Sequence, residues 1–213
     1  MFSMIKILFI SIVINLTALN ASADKMVAVT EDIKYLSQKI SNDYLYLFHN
    51  PKNVKIKEEL NNSIKKLEDD FRRIAKNTES LDTKNILDFL SYSKDQMKET
   101  ISEDLSKDSV ASMLDFSDTM LEGAQSILDT QNQTSYKNKF HLMMISKLYL
   151  AINLGFDSKN NKNSIKKEIE LFDNNNKSND SWVAFKDILE NRQNCFIPHI
   201  TTILIKDLEN NEK

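Results

Sequence analysis

Reactive side chains are few in this 213-residue chain: three histidines, one cysteine and some short acidic runs. His49, His141 and His199 each lack a glutamate three residues earlier, so the Glu-x-x-His pair of di-iron bundles is missing. The sequence contains no H-E-x-x-H zinc helix, no C-x-x-C-H haem attachment and no G-x-S-x-G nucleophile elbow. Glu68-Asp69-Asp70 and Glu103-Asp104 are runs of the kind that solvated helix faces carry. Met143-Met144 would suit a soft metal, but methionines at helical spacing fit core positions better. His141, two residues after Lys139, is a residue that could line a pocket. No catalytic residue, metal site or cofactor is therefore expected.

The elements that position these residues are helices. The chain has two glycines and two prolines, against usual frequencies of about 7% and 5%. Hairpins, bulges and phosphate-cradling loops need those residues, so β folds and nucleotide-binding α/β folds are excluded and an all-α fold is expected. The 28 basic and 31 acidic residues give a net charge of −3, which offers no electrostatic footprint for nucleic acid.

Residues 1–23 have the form of a secretory signal peptide. Lys6 precedes the apolar run Ile7-Leu8-Phe9-Ile10-Ser11-Ile12-Val13-Ile14, and Ala21-Ser22-Ala23 ends it as an A-x-A cleavage signal. The apolar stretch is shorter than the ~20 residues of a spanning helix. Cleavage and a periplasmic or secreted location are expected. Cys195, the one cysteine, then has no internal partner; it is read as a small buried apolar residue, the alternative being an intermolecular disulfide or reactive thiol.

Apolar residues at steps of three and four mark successive helices. Met26, Val29, Ile33, Leu36, Ile40, Tyr44 and Leu47 predict a helix over 27–49, broken by Asn50-Pro51. Ile56, Leu60, Ile64, Leu67, Phe71 and Ile74 predict a second, ending near Asn77. Ile86, Phe89, Leu90, Met97 and Ile101 suggest a third, capped by Asp82 or Thr83. Val110, Met113, Met120, Ala124 and Ile127 mark a fourth, and short polar connections make the set a four-helix bundle.

The opening then recurs 105 residues later. Residues 34–45 align with 139–150, with identities at Lys34/Lys139, Ile40/Ile145, Ser41/Ser146, Tyr44/Tyr149 and Leu45/Leu150. Ser63-Ile64-Lys65-Lys66 and Phe71 match Ser164-Ile165-Lys166-Lys167 and Phe172 after a short gap. Helices are therefore expected over 135–154 and 161–172, with a loop over 173–179. A helix from about Asp180 would carry Trp182, Phe185 and Ile188, and a last one would begin near Asn194 with Pro198 in its first turn. The expected organisation is a leader over 1–23 and helical repeats over 24–132 and 133–213.

The repeat brings a family resemblance. Lys34-Tyr35-Leu36-Ser37-Gln38-Lys39-Ile40-Ser41 and Tyr136-Lys137-Asn138-Lys139-Phe140 resemble opposite halves of the G-R-Q-R-M-L-S-Q-R-M-A-K motif. That motif belongs to PilJ-type sensor domains of type IV pilus chemotaxis transducers, relatives of nitrate/nitrite sensor domains. Tyr149-Leu150-Ala151-Ile152-Asn153-Leu154-Gly155-Phe156-Asp157 is similar to the family's Y-L-L-I-A-L-G-I-D, and Ser181-Trp182-Val183-Ala184-Phe185 to its Q-W-A-F-F. The resemblance implies an extracytoplasmic helical bundle that senses a small ligand, with an anion clamped between two first helices. The clamping arginine falls on Lys34 and Lys139, and Ser37, Gln38, Ser41 and Ser146 lie within one or two turns. A later arginine of the motif falls on Lys39 and on Met144. Lysine is a point charge without arginine's planar fork, and Glu31, three residues before Lys34, can neutralise it. The implied ligand is thus a small anion or polar metabolite rather than nitrate in particular, and the signal would pass to a membrane receptor or envelope protein. A protein–protein interaction module with no small ligand is the alternative.

Overall fold

A computed structural model describes the backbone of residues 2–131, 138–156, 159–176, 179–191 and 200–211. Side chains are described over 24–131, 138–156, 160–176, 179–191 and 201–207, with 202 excepted. Cys195, Pro198, His199 and the expected start of the last helix lie outside the described residues, as do Tyr136, Lys137 and the side chains of 1–23. The fold is an all-α bundle of eight helices among the described residues, about 90% helical and without strands.

Helix α1 runs unbroken over Phe2–His49, well N-terminal of the expected 27–49. No glycine or proline precedes Pro51, so nothing interrupts the backbone before that point. Among the described residues no helix is long and apolar enough to cross a membrane. Helix α2 (Val54–Asn77) starts from Asn53, whose side chain accepts from the Ile56 amide at 3.2 Å. Its whole expected stripe, from Ile56 to Ile74, is buried.

Helix α3 (Leu81–Ser102) differs from expectation at its start and on its face. Ser80 is the cap, accepting from the Thr83 amide, while Thr83 is turned inward and buried. The buried stripe is Thr83, Leu87, Leu90, Ser93, Met97 and Thr100; Phe89 points to solvent. The reason is partnership, since α3 packs mainly on α4 and a single neighbour covers only a narrow stripe. Helix α4 (Lys107–Thr130) opens with a capping box between Ser106 and Ser109. Gly123 within it lies so near Leu90 that an added Cβ would sit 2.5 Å from that side chain, which sets the close α3–α4 approach.

Helix α5 (Asn138–Asn153) ends at Gly155, at φ +86°. Phe156 N donates to Ala151 O at 2.8 Å and Gly155 N to Ile152 O at 3.1 Å, the paired bonds of a Schellman cap. Helix α6 (Lys159–Asn176) runs through part of the expected 173–179 loop. Asp173 accounts for this: it accepts from Trp182 Nε1 and Lys186 Nζ, both at 3.0 Å, and so ties the last turn to the next helix. Helices α7 (Asp180–Asn191) and α8 (Ile200–Asn211) complete the chain.

Both halves pair their helices in one order. Helix α1 packs on α2 and α4, and α3 on α4; α5 packs on α6 and α8, and α7 on α8. Helices α1 and α5 also pack on each other. One core lies within α1–α4 and takes in Leu150 and Ala151 of α5. A smaller one joins Leu142, Met143 and Ile145 to Phe172, Trp182, Phe185, Leu204 and Ile205. The two first helices thus form the joint of the molecule.

Candidate functional site

The α1–α5 joint carries a polar seam. Thr30, Glu31, Lys34, Ser37, Gln38, Ser41, Asn42 and Asp43 of α1 are all at most 5% exposed, an unusual density of buried polar groups for one helix. Such groups must find partners or cost free energy; most find them within α1 or on α4, and Asn42 takes a hydrogen bond across the joint from Ser146.

Lys34 extends from α1 between α4 and α5. Its ammonium donates to Gln125 Oε1 at 3.0 Å, lies 3.4 Å from Glu31 Oε1, and stands 4.8 Å from the centre of the Phe140 ring. Lys139 makes the reciprocal contact, 5.0 Å from the centre of the Tyr35 ring. Lys34-Tyr35 and Lys139-Phe140 are aligned positions of the repeat, so each lysine stands over the aromatic ring of the other copy. That crosswise exchange is what a two-fold, isologous contact looks like, and cation–π attraction favours it.

Counter-charges differ between the two. Glu31 neutralises Lys34 from one turn away, in full burial. Lys139 is held at 2.7 Å by Asp32 of α1, which also accepts from Lys66 of α2 at 3.1 Å, so one carboxylate ties three helices. Burial raises the Asp32 carboxyl, but the Lys139 and Lys66 ammoniums outweigh it and hold the group below its ordinary value.

Of the remaining residues expected at the site, Ser37 donates to Lys34 O at 2.8 Å, and Gln38 donates to Ser37 Oγ at 3.1 Å and Ser117 O at 3.4 Å. Ser146 donates to Asn42 Oδ1 at 2.9 Å and accepts from Thr201 at 3.0 Å. Ser41 Oγ, Gln38 Oε1 and Glu31 Oε2 are buried with no protein partner. The six residues share the faces of α1 and α5; four clefts in the described surface are lined by other side chains than Lys34 and Lys139. Lys39 turns away from the joint, bonding Asp43 at 2.5 Å and approaching Glu59 of α2 at 3.6 Å. His141 pairs with Glu168 of α6 at 2.6 Å.

Several partners escaped the sequence reading: Asp32, Asn42, Ser117, Gln125 and above all Lys147. The last is 1% exposed and bonds Asp118 of α4 at 2.6 Å. A lysine among Leu142, Met143, Ile145, Leu148 and Leu150, at the repeat position of Asn42, was the available signal. Among the described residues no cluster of histidine, cysteine and carboxylate side chains could hold a metal ion. Comparison with known protein families, with curated proteins and with solved structures finds no match to this chain.

Proposed function

We propose that this chain is a non-enzymatic, extracytoplasmic helical-bundle sensor that binds a small anionic or polar ligand at the α1–α5 joint and signals through a membrane receptor or envelope protein. Its likeness to PilJ-type domains and its signal-like leader motivate the setting. The observation that carries the reading is the crosswise placement of Lys34 and Lys139 over Phe140 and Tyr35. Each of the two aligned cations thus reaches across to the other copy of the helix, Lys34 on the α4 side and Lys139 beside Asp32 of α1 and Lys66 of α2, as a site shared between the copies requires.

Each ammonium already holds a carboxylate of the chain, so the ligand acts by exchange. Asp32 and Lys139 are 26% and 29% exposed, and an incoming anion displaces Asp32 there. Lys34, with Gln38 and Ser41 beside it, forms the buried half; Ser37 bonds the Lys34 carbonyl of its own helix, and Ser146 links α5 to α1 through Asn42. Moving Asp32 off Lys139 removes one polar tie between α1 and α5, a change at the joint that a partner can read. The test is a thermal-shift series with nitrate, nitrite, acetate and phosphate. A ligand at 100 times its Kd adds about 2.7 kcal/mol, or roughly 5–10 °C for a chain of this size. The Lys34→Ala/Lys139→Ala variant must lose that shift; a full shift in the double variant refutes the clamp.

A second reading, an interaction module without a small ligand, draws on α3. Leu81, Phe89 and Tyr92 are 71%, 64% and 67% exposed on one side of that helix. It predicts that no anion moves the melting temperature, while Phe89→Lys/Tyr92→Lys leaves the fold intact and releases the protein from the envelope fraction.

A further inference from the structure

Helices α4 and α5 both pack on α1 but meet each other little, and a cleft of about 470 Å³ opens between them. That volume falls within the range of small-molecule sites. Its lining has three chemically distinct parts. Leu114, Leu148 and Ala151 give an apolar floor, closed at one end by Phe156. Asp115 and Asp118, one turn apart on α4, give an acidic wall. Lys147 gives a cation on the α5 side, with Asn160 and Asn161 in the first turn of α6 at the lip.

The Lys147–Asp118 pair is lopsided. The lysine side chain is 1% exposed, whereas the aspartate is 56% exposed. The fold has already stripped water from the ammonium, and that desolvation is offset by a carboxylate that can turn out to solvent at little cost. A carboxylate entering the cleft can therefore replace Asp118 on Lys147, with Asn160 of α6 at the lip. Asp118, once displaced, stands with Asp115 as an acidic pair with no cation. An ammonium next to the incoming carboxylate restores the balance. A simple anion would instead face two aspartates, and a simple amine would leave Lys147 with Asp118 and gain only Asp115.

We propose that the α4–α5 cleft binds a free α-amino acid with an apolar side chain: its carboxylate on Lys147, its ammonium between Asp115 and Asp118, its side chain over Leu114, Leu148 and Phe156. The site is separate from the lysine clamp and does not depend on it.

Isothermal titration of the full chain with L-leucine, L-methionine and L-phenylalanine tests this, beside isopentylamine and 4-methylpentanoate, which each keep one charge of leucine. At least one amino acid saturates the protein, and neither single-charge analogue does. Asp115→Asn, at an exposed position that leaves the fold unchanged, weakens binding by about tenfold or more, as expected when a charge-assisted contact is lost. Lys147→Met abolishes it. If that variant misfolds by circular dichroism, Asp115→Asn alone decides. Lys34→Ala/Lys139→Ala binds amino acids like the parent, which separates this site from the clamp. Absence of saturation by all three amino acids overturns the proposal. So does unchanged affinity in Asp115→Asn, or isopentylamine binding as tightly as leucine.

Discussion

At two positions four residues apart, α1 places Lys39 and Asp43 where α5, 105 residues later, places Met144 and Leu148. The environments correspond: Asp43 and Leu148 are buried, and Lys39 and Met144 are half-buried. One register of one helix is thus filled by an ion pair in the first copy and by an apolar pair in the second. The contrast extends to Ser37 and Gln38 against Leu142 and Met143. Helix α1 serves three neighbours, α2, α4 and α5, through the larger apolar core with polar links added to it; α5 meets α6 and α8 through the smaller apolar core. A helical bundle therefore does not need the polar residues of α1 in order to close. They cost desolvation, and what they provide is a specific set of partners.

The strongest test of that contrast is to convert α1 into α5. Lys39→Met alone leaves the Asp43 carboxylate buried beside Glu59 without its cation, and should cost about 3–5 kcal/mol at pH 8. Adding Asp43→Leu to complete the α5 pattern should recover the parent stability or exceed it. Urea denaturation of the two variants measures both effects. If the double variant is as unstable as the single one, the two copies are not interchangeable and the contrast fails.

Changing pH exposes the same carboxyl without mutation. Burial pushes Asp43 up from 3.8 to about 6, against the pull of Lys39. The folded form holds this proton more tightly than the unfolded form, so the contribution is fully present below about pH 3.8 and lost as pH rises through about 6. At ~1.4 kcal/mol per pKa unit, that is a loss of about 3 kcal/mol between pH 4 and pH 8. Asp32 acts in the opposite sense: held below 3.8, it stabilises the fold above that pH and ceases to as pH falls through its folded value. Stability curves for the parent and for Lys39→Met/Asp43→Leu should diverge between pH 4 and 8, and a constant difference across that range would contradict the Asp43 assignment.

The two joint lysines give a smaller contrast. Lys34→Met strands Glu31, a carboxylate 3% exposed with one oxygen already unpartnered, and should cost about 2–3 kcal/mol. Lys139→Met removes a half-exposed ion pair whose aspartate keeps Lys66, and should cost under ~1 kcal/mol. Equal losses would mean that the joint is symmetric in energy as well as in geometry.

How much of this was legible before the fold is instructive by residue. Stripes with one apolar register, such as Ile56 to Ile74, place their helix and its face because burial repeats at the helical period. The packing of α1 against α5 was legible only through the repeat and the family resemblance, which pair two copies of one helix. Phe89 was misplaced because a stripe does not say how many neighbours a helix has. The 173–179 loop was overextended because the asparagine run hides the bonds from Asp173 to Trp182 and Lys186. The links Asp32–Lys139 and Asp118–Lys147 join residues on different helices, and their pairing depends on rotations about helix axes that no local pattern encodes.

A last contrast concerns how the two copies end. Helix α1 stops before Pro51, whereas α5 stops at Gly155, which aligns with Asn50. Gly155 takes φ +86°, and a Cβ added there meets nothing within 4 Å, so the glycine is required for its backbone alone. Gly155→Ala should therefore cost about 1 kcal/mol, the usual penalty of a left-handed L-residue, and Gly155→Asn less. The change loosens the Ala151–Phe156 bond at the lip of the α4–α5 cleft, and amide exchange at Phe156 should rise before global stability falls. A loss of several kcal/mol would instead mean that the end of α5 bears on the core it shares with α1, and that the second copy's boundary supports the first.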